Sequence, residues 1–255
     1  MTEPRSFCWY ELVTADAPAA TRFYADVVGW DAQPTTLPGI AYTTMGSGAH
    51  RTAGIMTMPD EMKATGQPGG WLGYIGVADA DAASEALVAA GGTVHRPAQD
   101  IPEVGRFAIV ADPEGAVFTL FQPFGEATAA PAPMTPGTVG WHELYADDWE
   151  AAFAFYAALF GWTKDQPIPM GPMGTYQLFA AGGPPAGGMM DRGDFVPKAV
   201  WGFYFVVQSL DAAAERVTAG GGRIVNGPME VPGGAWIVNA LDPQGIAFSL
   251  VAAHR

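Results

Sequence analysis

The apolar and polar residues follow one order that recurs four times along the chain. In the first copy, Phe7 to Val13 alternates and is rich in aromatic residues, which predicts a half-buried strand. Asp16 before Ala17-Pro18 predicts the start of a helix, and Gly29 predicts its left-handed end. The apolar stripe of this helix is formed by Ala20, Phe23, Val27 and Val28. Short apolar runs between glycines from Gln33 to Met58 predict three further strands.

The second copy repeats this order with different residues. Trp71 to Ala78 predicts a strand, Asp81 predicts the cap of a helix that Ala90-Gly91-Gly92 ends, and another strand begins at Phe107. Asp112-Pro113-Glu114-Gly115 has the residues of a type I turn before a returning strand, Val117 to Phe121. In copies three and four the corresponding predictions are caps at Asp148 and Asp211, helix ends at Gly161 and near Gly220, and a turn at Asp242-Pro243-Gln244-Gly245.

An internal duplication explains this recurrence. Trp9-Tyr10-Glu11-Leu12 returns as Trp141-His142-Glu143-Leu144, and at equal distances Phe23-Tyr24 and Gly29-Trp30 return as Phe155-Tyr156 and Gly161-Trp162. The segment between the halves is rich in Ala, Pro and Thr, which is typical of a linker. We therefore predict domains at 1–124 and 138–255, a linker at 125–137, and repeat units at about 7–58, 71–122, 139–190 and 201–251.

Composition narrows the classes of partner. The formal net charge of -14 and the pI near 4.4 disfavour nucleic acid and anionic membranes. Cys8 is the single cysteine, which fits a reducing compartment, and the polar start from Met1 to Ser6 does not resemble a signal peptide. The longest apolar run, Ala151 to Trp162, is too short to span a bilayer and predicts a core helix. We expect a cytoplasmic protein that is a monomer or a homodimer.

Four tandem strand-helix-three-strand units, the Phe-Tyr and Gly-Trp pairs, and the Asp-Pro-x-Gly turn before the last strand resemble the vicinal oxygen chelate superfamily. This superfamily includes glyoxalase I, bleomycin-resistance proteins and extradiol dioxygenases, and the chain looks most like its two-domain actinobacterial "hydroxylase" branch. The resemblance implies an α+β fold of four βαβββ units whose curled mixed sheets form cups. It leaves open whether the first unit pairs with the second or with the fourth, and it does not imply one reaction.

The resemblance also implies where metal ligands would lie. Counting along the units places these positions on Trp9, Trp141, Tyr74, Tyr204, Thr119 and Ser249. Indole and hydroxyl groups are poor ligands for zinc, iron or nickel, so we expect no metal and no other cofactor. A shift of one residue would bring His142 to a first-strand position, and we retain it with Trp9, Trp141, Thr119 and Ser249 as a candidate substrate-binding residue.

The catalytic candidates are acidic and phenolic groups. Trp9 and Glu11 share one strand face, as do Trp141 and Glu143, so each glutamate is expected beside aromatic walls. A carboxylate in apolar surroundings has a raised pKa and serves as a general base near neutrality, while Tyr74 and Tyr204 would donate to an enolate. Glu11, Glu143, Tyr74 and Tyr204 are therefore the predicted catalytic residues. A structural role for both glutamates, as acceptors from buried groups, remains open.

Three functions are compatible with these residues. The first is metal-independent proton transfer on an aromatic or polyketide-like small molecule in secondary metabolism, leading to isomerisation, cyclisation or hydroxylation. The second is sequestration of a drug or metabolite, because aromatic walls serve binding alone equally well. The third is a glyoxalase or dioxygenase with an irregular metal site. The sequence does not decide which of the two predicted domains would hold the working site.

Overall fold

The computed structural model describes residues 6–37, 40–64, 66, 69–125 and 131–255, and it shows the predicted α+β fold. The first repeat consists of β1 (Phe7–Thr14), α1 (Ala17–Val28), β2 (Asp31–Leu37), β3 (Ile40–Ser47) and β4 (His50–Thr57). After a short helix α2 (Asp60–Ala64), the second repeat consists of β5 (Gly70–Gly76), α3 (Ala80–Ala89), β6 (Thr93–Ile101), β7 (Gly105–Ala111) and β8 (Val117–Pro123). The four-strand, one-helix unit predicted from the hydrophobic pattern is thus present in both.

The C-terminal repeats have the same order of elements. The third repeat consists of β9 (Val139–Ala146), α4 (Trp149–Phe160), β10 (Thr163–Pro169), β11 (Thr175–Ala180) and β12 (Pro185–Asp191). The fourth consists of β13 (Val200–Val206), α5 (Leu210–Ala219), β14 (Arg223–Glu230), β15 (Trp236–Leu241) and β16 (Ala247–Ala252). Within the described ranges, no helix has the length and apolar character that crossing a bilayer requires.

Two eight-stranded mixed sheets contain these strands. Their orders are β2-β3-β4-β1-β5-β8-β7-β6 and β10-β11-β12-β9-β13-β16-β15-β14. The pairs β1 with β4 and β5 with β8 are parallel, whereas the hairpins within each repeat are antiparallel. Strand order thus places repeats one and two in one sheet, and repeats three and four in the other.

The two compact bodies of the structure combine the repeats differently from the two sheets. The described residues up to Cys8, from Gly73 to 125, and His142–Trp201 form one compact body, which we call the central body. Trp9–Leu72, the residues from 131 to Trp141, and Gly202–Arg255 form the other, the terminal body. The core of the terminal body therefore joins repeats one and four, and that of the central body joins repeats two and three.

The duplicated Phe-Tyr motif has a structural role in each body. In the terminal body the hydroxyl of Tyr24 donates to Asp242 Oδ2 at 3.2 Å and accepts from Trp71 Nε1 at 3.1 Å. Asp242 Oδ1 also accepts the backbone N–H groups of Gln244 and Ile246, which holds the Asp-Pro-x-Gly turn. A buried chain of three polar groups thereby connects a helix, a strand and a turn that are distant in sequence.

The central body repeats this chain with its own residues. The hydroxyl of Tyr156 donates to Asp112 Oδ2 at 3.0 Å and accepts from Trp201 Nε1 at 2.9 Å. Both tyrosines are fully buried, and burial together with the nearby aspartate raises their pKa well above the usual value. Each phenol therefore stays protonated and remains a donor.

The helix caps partly follow the sequence predictions. Asp16 and Asp148 accept backbone N–H groups at the starts of α1 and α4, and Gly29 and Gly161 end these helices in the left-handed conformation, as predicted. Caps at Asp81 and Asp211 were wrong. Those caps are Asp79 and Ser209, whose side chains accept the N–H three residues on, from Ala82 and Ala212. Asp81 and Asp211 lie in the first turns and form ion pairs with Arg106 and Arg255.

The predicted linker, 125–137, lies partly outside the described residues, because 126–130 are not among them. At its C-terminal end the carbonyl of Gly137 accepts Trp30 Nε1 and Thr52 Oγ1, both at 2.7 Å. This end of the segment is therefore anchored in the terminal body. We keep the division of the chain into 1–124 and 138–255 as a proposal.

Candidate functional site

The N-terminal glutamate lies in a cluster of polar aromatic groups within the terminal body. Trp9 and Glu11 are two residues apart on β1 and so share a face of the sheet. Trp9 Nε1 donates to the hydroxyl of Tyr42 on β3 at 3.0 Å, and this hydroxyl donates to the carboxylate of Glu11. Burial, followed by the charge of Glu11, raises the pKa of Tyr42, so the phenol stays protonated. The cluster is thus a directed chain, from indole to phenol to carboxylate.

Gly54 makes this arrangement possible. It is the parallel-strand partner of Glu11 in the register of β1 and β4. A Cβ atom at Gly54 would lie 1.8 Å from the hydroxyl oxygen of Tyr42, which is far inside van der Waals contact. The missing side chain therefore provides the space through which Tyr42 reaches the carboxylate.

The C-terminal half carries a related cluster in the central body. Glu143 is the parallel-strand partner of Gly188, and a Cβ atom there would lie 2.2 Å from Cζ of Tyr176 on β11. The hydroxyl of Tyr145 donates to Glu143 Oε2 at 2.6 Å. The glutamate, the glycine and the tyrosine above the glycine are therefore common to both halves.

The two glutamates differ in exposure. Glu143 is 7% exposed, whereas Glu11 is only half-buried. The position that Tyr145 occupies in the third repeat is occupied by the apolar Val13 in the first. Glu11 therefore lacks the same-strand phenol that binds Glu143, and it is the more accessible carboxylate.

The predicted site residues on the last strands, Thr119 on β8 and Ser249 on β16, have different hydrogen-bond partners. In the terminal body Asn239 Nδ2 donates to the hydroxyl of Tyr204 at 3.2 Å and to Ser249 Oγ at 2.9 Å. Asn226 Nδ2 in turn donates to Asn239 Oδ1 at 3.1 Å. Two predicted site residues, Tyr204 and Ser249, are thus brought together by an asparagine that the sequence did not single out.

In the central body the corresponding hydroxyl lacks such a partner. Thr119 pairs in register with Tyr74 on one side and with Ile109 on the other. Isoleucine stands where the fourth repeat has Asn239, and Thr119 Oγ1 is buried with no hydrogen-bond partner among the described residues. Tyr74 contacts Phe121 edge to face at 6.0 Å between ring centroids. The predicted site positions of the second repeat, Tyr74 and Thr119, are therefore buried in more apolar surroundings than Tyr204 and Ser249 of the fourth.

Trp141 and His142 lie in different surroundings. Trp141 packs against the apolar cluster of Tyr204, Val206 and Val251 in the terminal body. His142 stacks on Phe7 at 4.4 Å in the central body, and its Nδ1–H donates to the carbonyl of Ala186 at 2.7 Å. Burial lowers the pKa of His142 to about 4, so the ring is neutral near pH 7. A substrate-binding role for His142 remains a prediction.

Sequence reasoning missed Tyr42, Tyr176 and Asn239. The two tyrosines carried a signal, because each precedes its glycine, Gly54 or Gly188, at the same spacing in both halves. Asn239 carried none, since the second repeat has isoleucine at that place. Its partners become visible only when the strand register is known.

Comparisons with known proteins agree with this fold. The family model described as the Glyoxalase/Bleomycin resistance protein/Dioxygenase superfamily matches residues 6–120 and 138–250. The chain is 34% identical to "Putative glyoxylase CFP32" of Mycobacterium tuberculosis (strain CDC 1551 / Oshkosh), covering 95% of this chain and 93% of that protein. It is 32% identical to the anthracycline biosynthesis protein DnrV of Streptomyces peucetius, covering 97% and 93%. The structure of the Mn(II)-bound glyoxalase from Novosphingobium aromaticivorans is similar in fold, with a TM-score of 0.67, 15% identity and coverage of 99% and 83%.

At the positions that the family resemblance assigns to metal ligands, the side chains do not suit a resident ion such as the Mn(II) of that glyoxalase. The positions at which the family resemblance places ligands carry indole and hydroxyl side chains, and indole offers no lone pair to a cation. Among the residues that the structure describes, no three His, Cys, Asp or Glu side chains lie close enough together to hold a metal ion. Glu11 and Glu143 instead accept hydrogen bonds from tyrosines.

Proposed function

Because the chain belongs to the glyoxalase/bleomycin resistance/dioxygenase superfamily, we propose that it binds an aromatic, polyketide-like small molecule and catalyses a metal-independent proton transfer on it. The observation that carries this proposal is the Trp9–Tyr42–Glu11 chain, which holds a half-buried carboxylate beside aromatic rings. The reaction is an isomerisation or a cyclisation through an enolate. Glu11 is the general base.

The chemistry follows from the residue types. Glu11 takes a proton from a carbon next to a substrate carbonyl, the electron pair of the broken C–H bond forms the C=C bond of an enolate, and the π electrons of the carbonyl move onto its oxygen. Returning that proton to another carbon completes an isomerisation. In a cyclisation, the enolate carbon instead attacks a second carbonyl to close a ring, and Glu11 returns the proton to the alkoxide oxygen that forms there. Tyr42 positions the carboxylate through its hydrogen bond, and Trp9 both orients Tyr42 and offers an indole face for stacking.

The relatives support the substrate class. DnrV and the similar DauV of Streptomyces sp. (strain C5), 31% identical over 97% of this chain, are named as anthracycline biosynthesis proteins. Anthracyclines are polycyclic compounds with planar aromatic rings and ketone groups. A planar substrate of this kind would match an indole wall and a general base.

We assign the reaction to Glu11 rather than to Glu143. A general base must reach the proton that it abstracts, and Glu11 is half-buried whereas Glu143 is 7% exposed. Tyr145 also binds Glu143 at 2.6 Å, a contact for which Val13 has no equivalent group. Glu143 then acts as an internal acceptor that supports β9.

Deuterium exchange tests this assignment. β-Tetralone, a benzo-fused cyclic ketone with acidic C–H groups on both sides of its carbonyl, is incubated with the protein in D₂O, and loss of its α-proton signals is followed by NMR. We expect catalysed exchange by the wild type, loss to the uncatalysed rate in Glu11→Gln, and retention in the matched control Glu143→Gln. Melting temperatures of both variants establish that the fold is kept.

Three outcomes would contradict the proposal. Exchange by Glu11→Gln at the wild-type rate would exclude this residue as the base. Exchange that disappears after dialysis against a chelator and returns with Mn²⁺ or Fe²⁺ would establish metal dependence. Saturable binding of β-tetralone without exchange at any pH would instead assign the protein to sequestration.

A further inference from the structure

Four polar side chains form a row across one face of the second sheet, within the terminal body. Tyr204 on β13 is in register with Ser249 on β16, Ser249 with Asn239 on β15, and Asn239 with Asn226 on β14. Asn239 is hydrogen-bonded to all three of the others, at 2.9 to 3.2 Å. The register of four neighbouring strands therefore aligns hydroxyl and carboxamide groups into one connected strip, which we call the amide row.

An apolar strip runs beside the amide row on the same face. Further along the same strands, the register joins Val206, Val251, Ile237 and Met229, which are two residues from the members of the row or, across the irregularity in β14, three residues from Asn226. Around it, the cluster of Tyr204, Val206 and Val251 is packed against by four partly buried side chains, those of Met134, Trp141, Ala235 and Ile237. A polar line of neutral groups thus borders an aliphatic and aromatic surface.

The exposure of the amide row decreases along its length. Asn226 is exposed and Asn239 is half-buried, whereas Ser249 and Tyr204 are 8% and 4% exposed. Trp141 and Ile237 are also only partly buried. The row is therefore reached from solvent at its asparagine end and is backed by buried hydroxyl groups.

The second repeat shows that the fold does not require this row. Its matching positions are Tyr74, Thr119, Ile109 and Arg96. Ile109 neither donates nor accepts, and the sheet forms although Thr119 Oγ1 has no partner among the described residues. Carboxamides that the strand pairing does not need are candidates for recognition of a ligand.

We propose that the amide row is a binding site for the oxygenated edge of a neutral, planar hydroxyquinone. Carboxamide and hydroxyl groups together offer both donors and acceptors, which matches adjacent keto and hydroxyl oxygens. The absence of charged side chains from the row selects a neutral ligand, since a buried unpaired charge would be costly. The rings of the ligand lie over Trp141 and Ile237. Binding at the amide row does not depend on the proton transfer proposed for Glu11.

Binding of quinizarin, a dihydroxyanthraquinone, tests the site by titration calorimetry and by the change in its visible absorbance. Asn239→Ile gives the fourth repeat the residue that the second repeat has at this place. Because this substitution removes the carboxamide that orients Tyr204, Ser249 and Asn226, we expect affinity to fall by about tenfold or more. Anthracene, which lacks oxygens, should bind wild type and variant equally.

A reciprocal variant provides the matched control. Ile109→Asn places a carboxamide beside Thr119 in the second repeat, and it should leave quinizarin affinity at the amide row unchanged. Wild-type affinity in Asn239→Ile would overturn the proposal, as would equal loss of affinity in Ile109→Asn. Failure of β-tetralone exchange with intact, Asn239-dependent quinizarin binding would refute only the proposed reaction.

Discussion

Removal of one hydroxyl from the core of the central body tests the structural reading of the Phe-Tyr motif. Tyr156→Phe keeps the ring and deletes the oxygen that donates to Asp112 at 3.0 Å and accepts from Trp201 at 2.9 Å. Tyr156 is 0% exposed, so water does not replace the lost oxygen without a rearrangement of the core. Both partners are then left with an unmet hydrogen bond.

The expected cost is the sum of two losses. A hydrogen bond to a charged carboxylate contributes about 1.5–3 kcal/mol, and a buried indole N–H without an acceptor costs about 1–3 kcal/mol. Because the two groups share one network, we expect a combined loss of about 3–5 kcal/mol in the free energy of unfolding. At about 2 °C per kcal/mol for a chain of this size, the melting temperature falls by roughly 6–10 °C.

The loss of unfolding free energy in Tyr156→Phe also depends on pH. Burial raises the pKa of Asp112, and the hydrogen bond from Tyr156 lowers it in opposition. Without that donor the pKa of Asp112 rises further. A carboxyl whose folded pKa exceeds its unfolded value loses stability as the pH rises above the unfolded value. The deficit of Tyr156→Phe is therefore larger at pH 7 than at pH 4.

Urea denaturation followed by near-ultraviolet circular dichroism, at both pH values, measures this deficit. Tyr145→Phe is the matched control, since it removes a phenol oxygen 2.6 Å from Glu143 at a half-buried position that water can reach. We expect it to cost about 1.5 kcal/mol or less. A Tyr156→Phe variant within about 1 kcal/mol of the wild type, or one most destabilised at pH 4, would refute this reasoning.

Three further predictions concern single residues. Gly54→Ala should abolish β-tetralone exchange, because the new Cβ would lie 1.8 Å from the hydroxyl oxygen of Tyr42 and would displace that side chain. Gly70→Ala should retain the exchange, because no atom lies within 4 Å of its new Cβ. His142→Gln should reduce the loss of stability on acidification from pH 6.5 to about 4, since the folded pKa lies below the unfolded one and the unfolded chain takes up the extra proton. The free energy of unfolding, measured by urea denaturation, should change with pH by up to about 1.4 kcal/mol less per pH unit in the variant, which corresponds to one proton. The same pH dependence in variant and wild type would contradict this prediction. Gly161→Ala should cost about 1 kcal/mol by thermal melting, because φ is 72° and no atom opposes the Cβ; a stabilised variant would exclude strain.

Local patterns were sufficient to predict the repeats and most helix ends. The period of the apolar residues depends only on the geometry of helix and strand, and a cap depends on a side chain within three residues of the helix start. For that reason Asp16, Asp148, Gly29 and Gly161 were predicted correctly. Asp81 and Asp211 were not, because two suitable acceptors lie within one turn and only the backbone conformation selects between them.

The candidate site is formed by hydrogen bonds between residues that are far apart in the sequence. The Glu-containing strands were visible as repeats, but the hydrogen bonds of Glu11 are set by Tyr42, and the amide row is set by Asn239. No spacing rule connects these residues, because their neighbours are chosen by strand register. The difference between Glu11 and Glu143 also appears only after folding, when one carboxylate is half-buried and the other is 7% exposed.

The amino-acid sequence by itself determined that four similar units form, because the order of apolar and polar residues within each unit is local and is kept in every repeat. Which units share a core was decided by tertiary structure alone. Strand order joins the first repeat to the second, whereas the buried hydrogen bond from Tyr24 joins it to Asp242 of the fourth. The physical reason is that the repeats are alike enough to offer several pairings, and only the packing of complete cores distinguishes their energies.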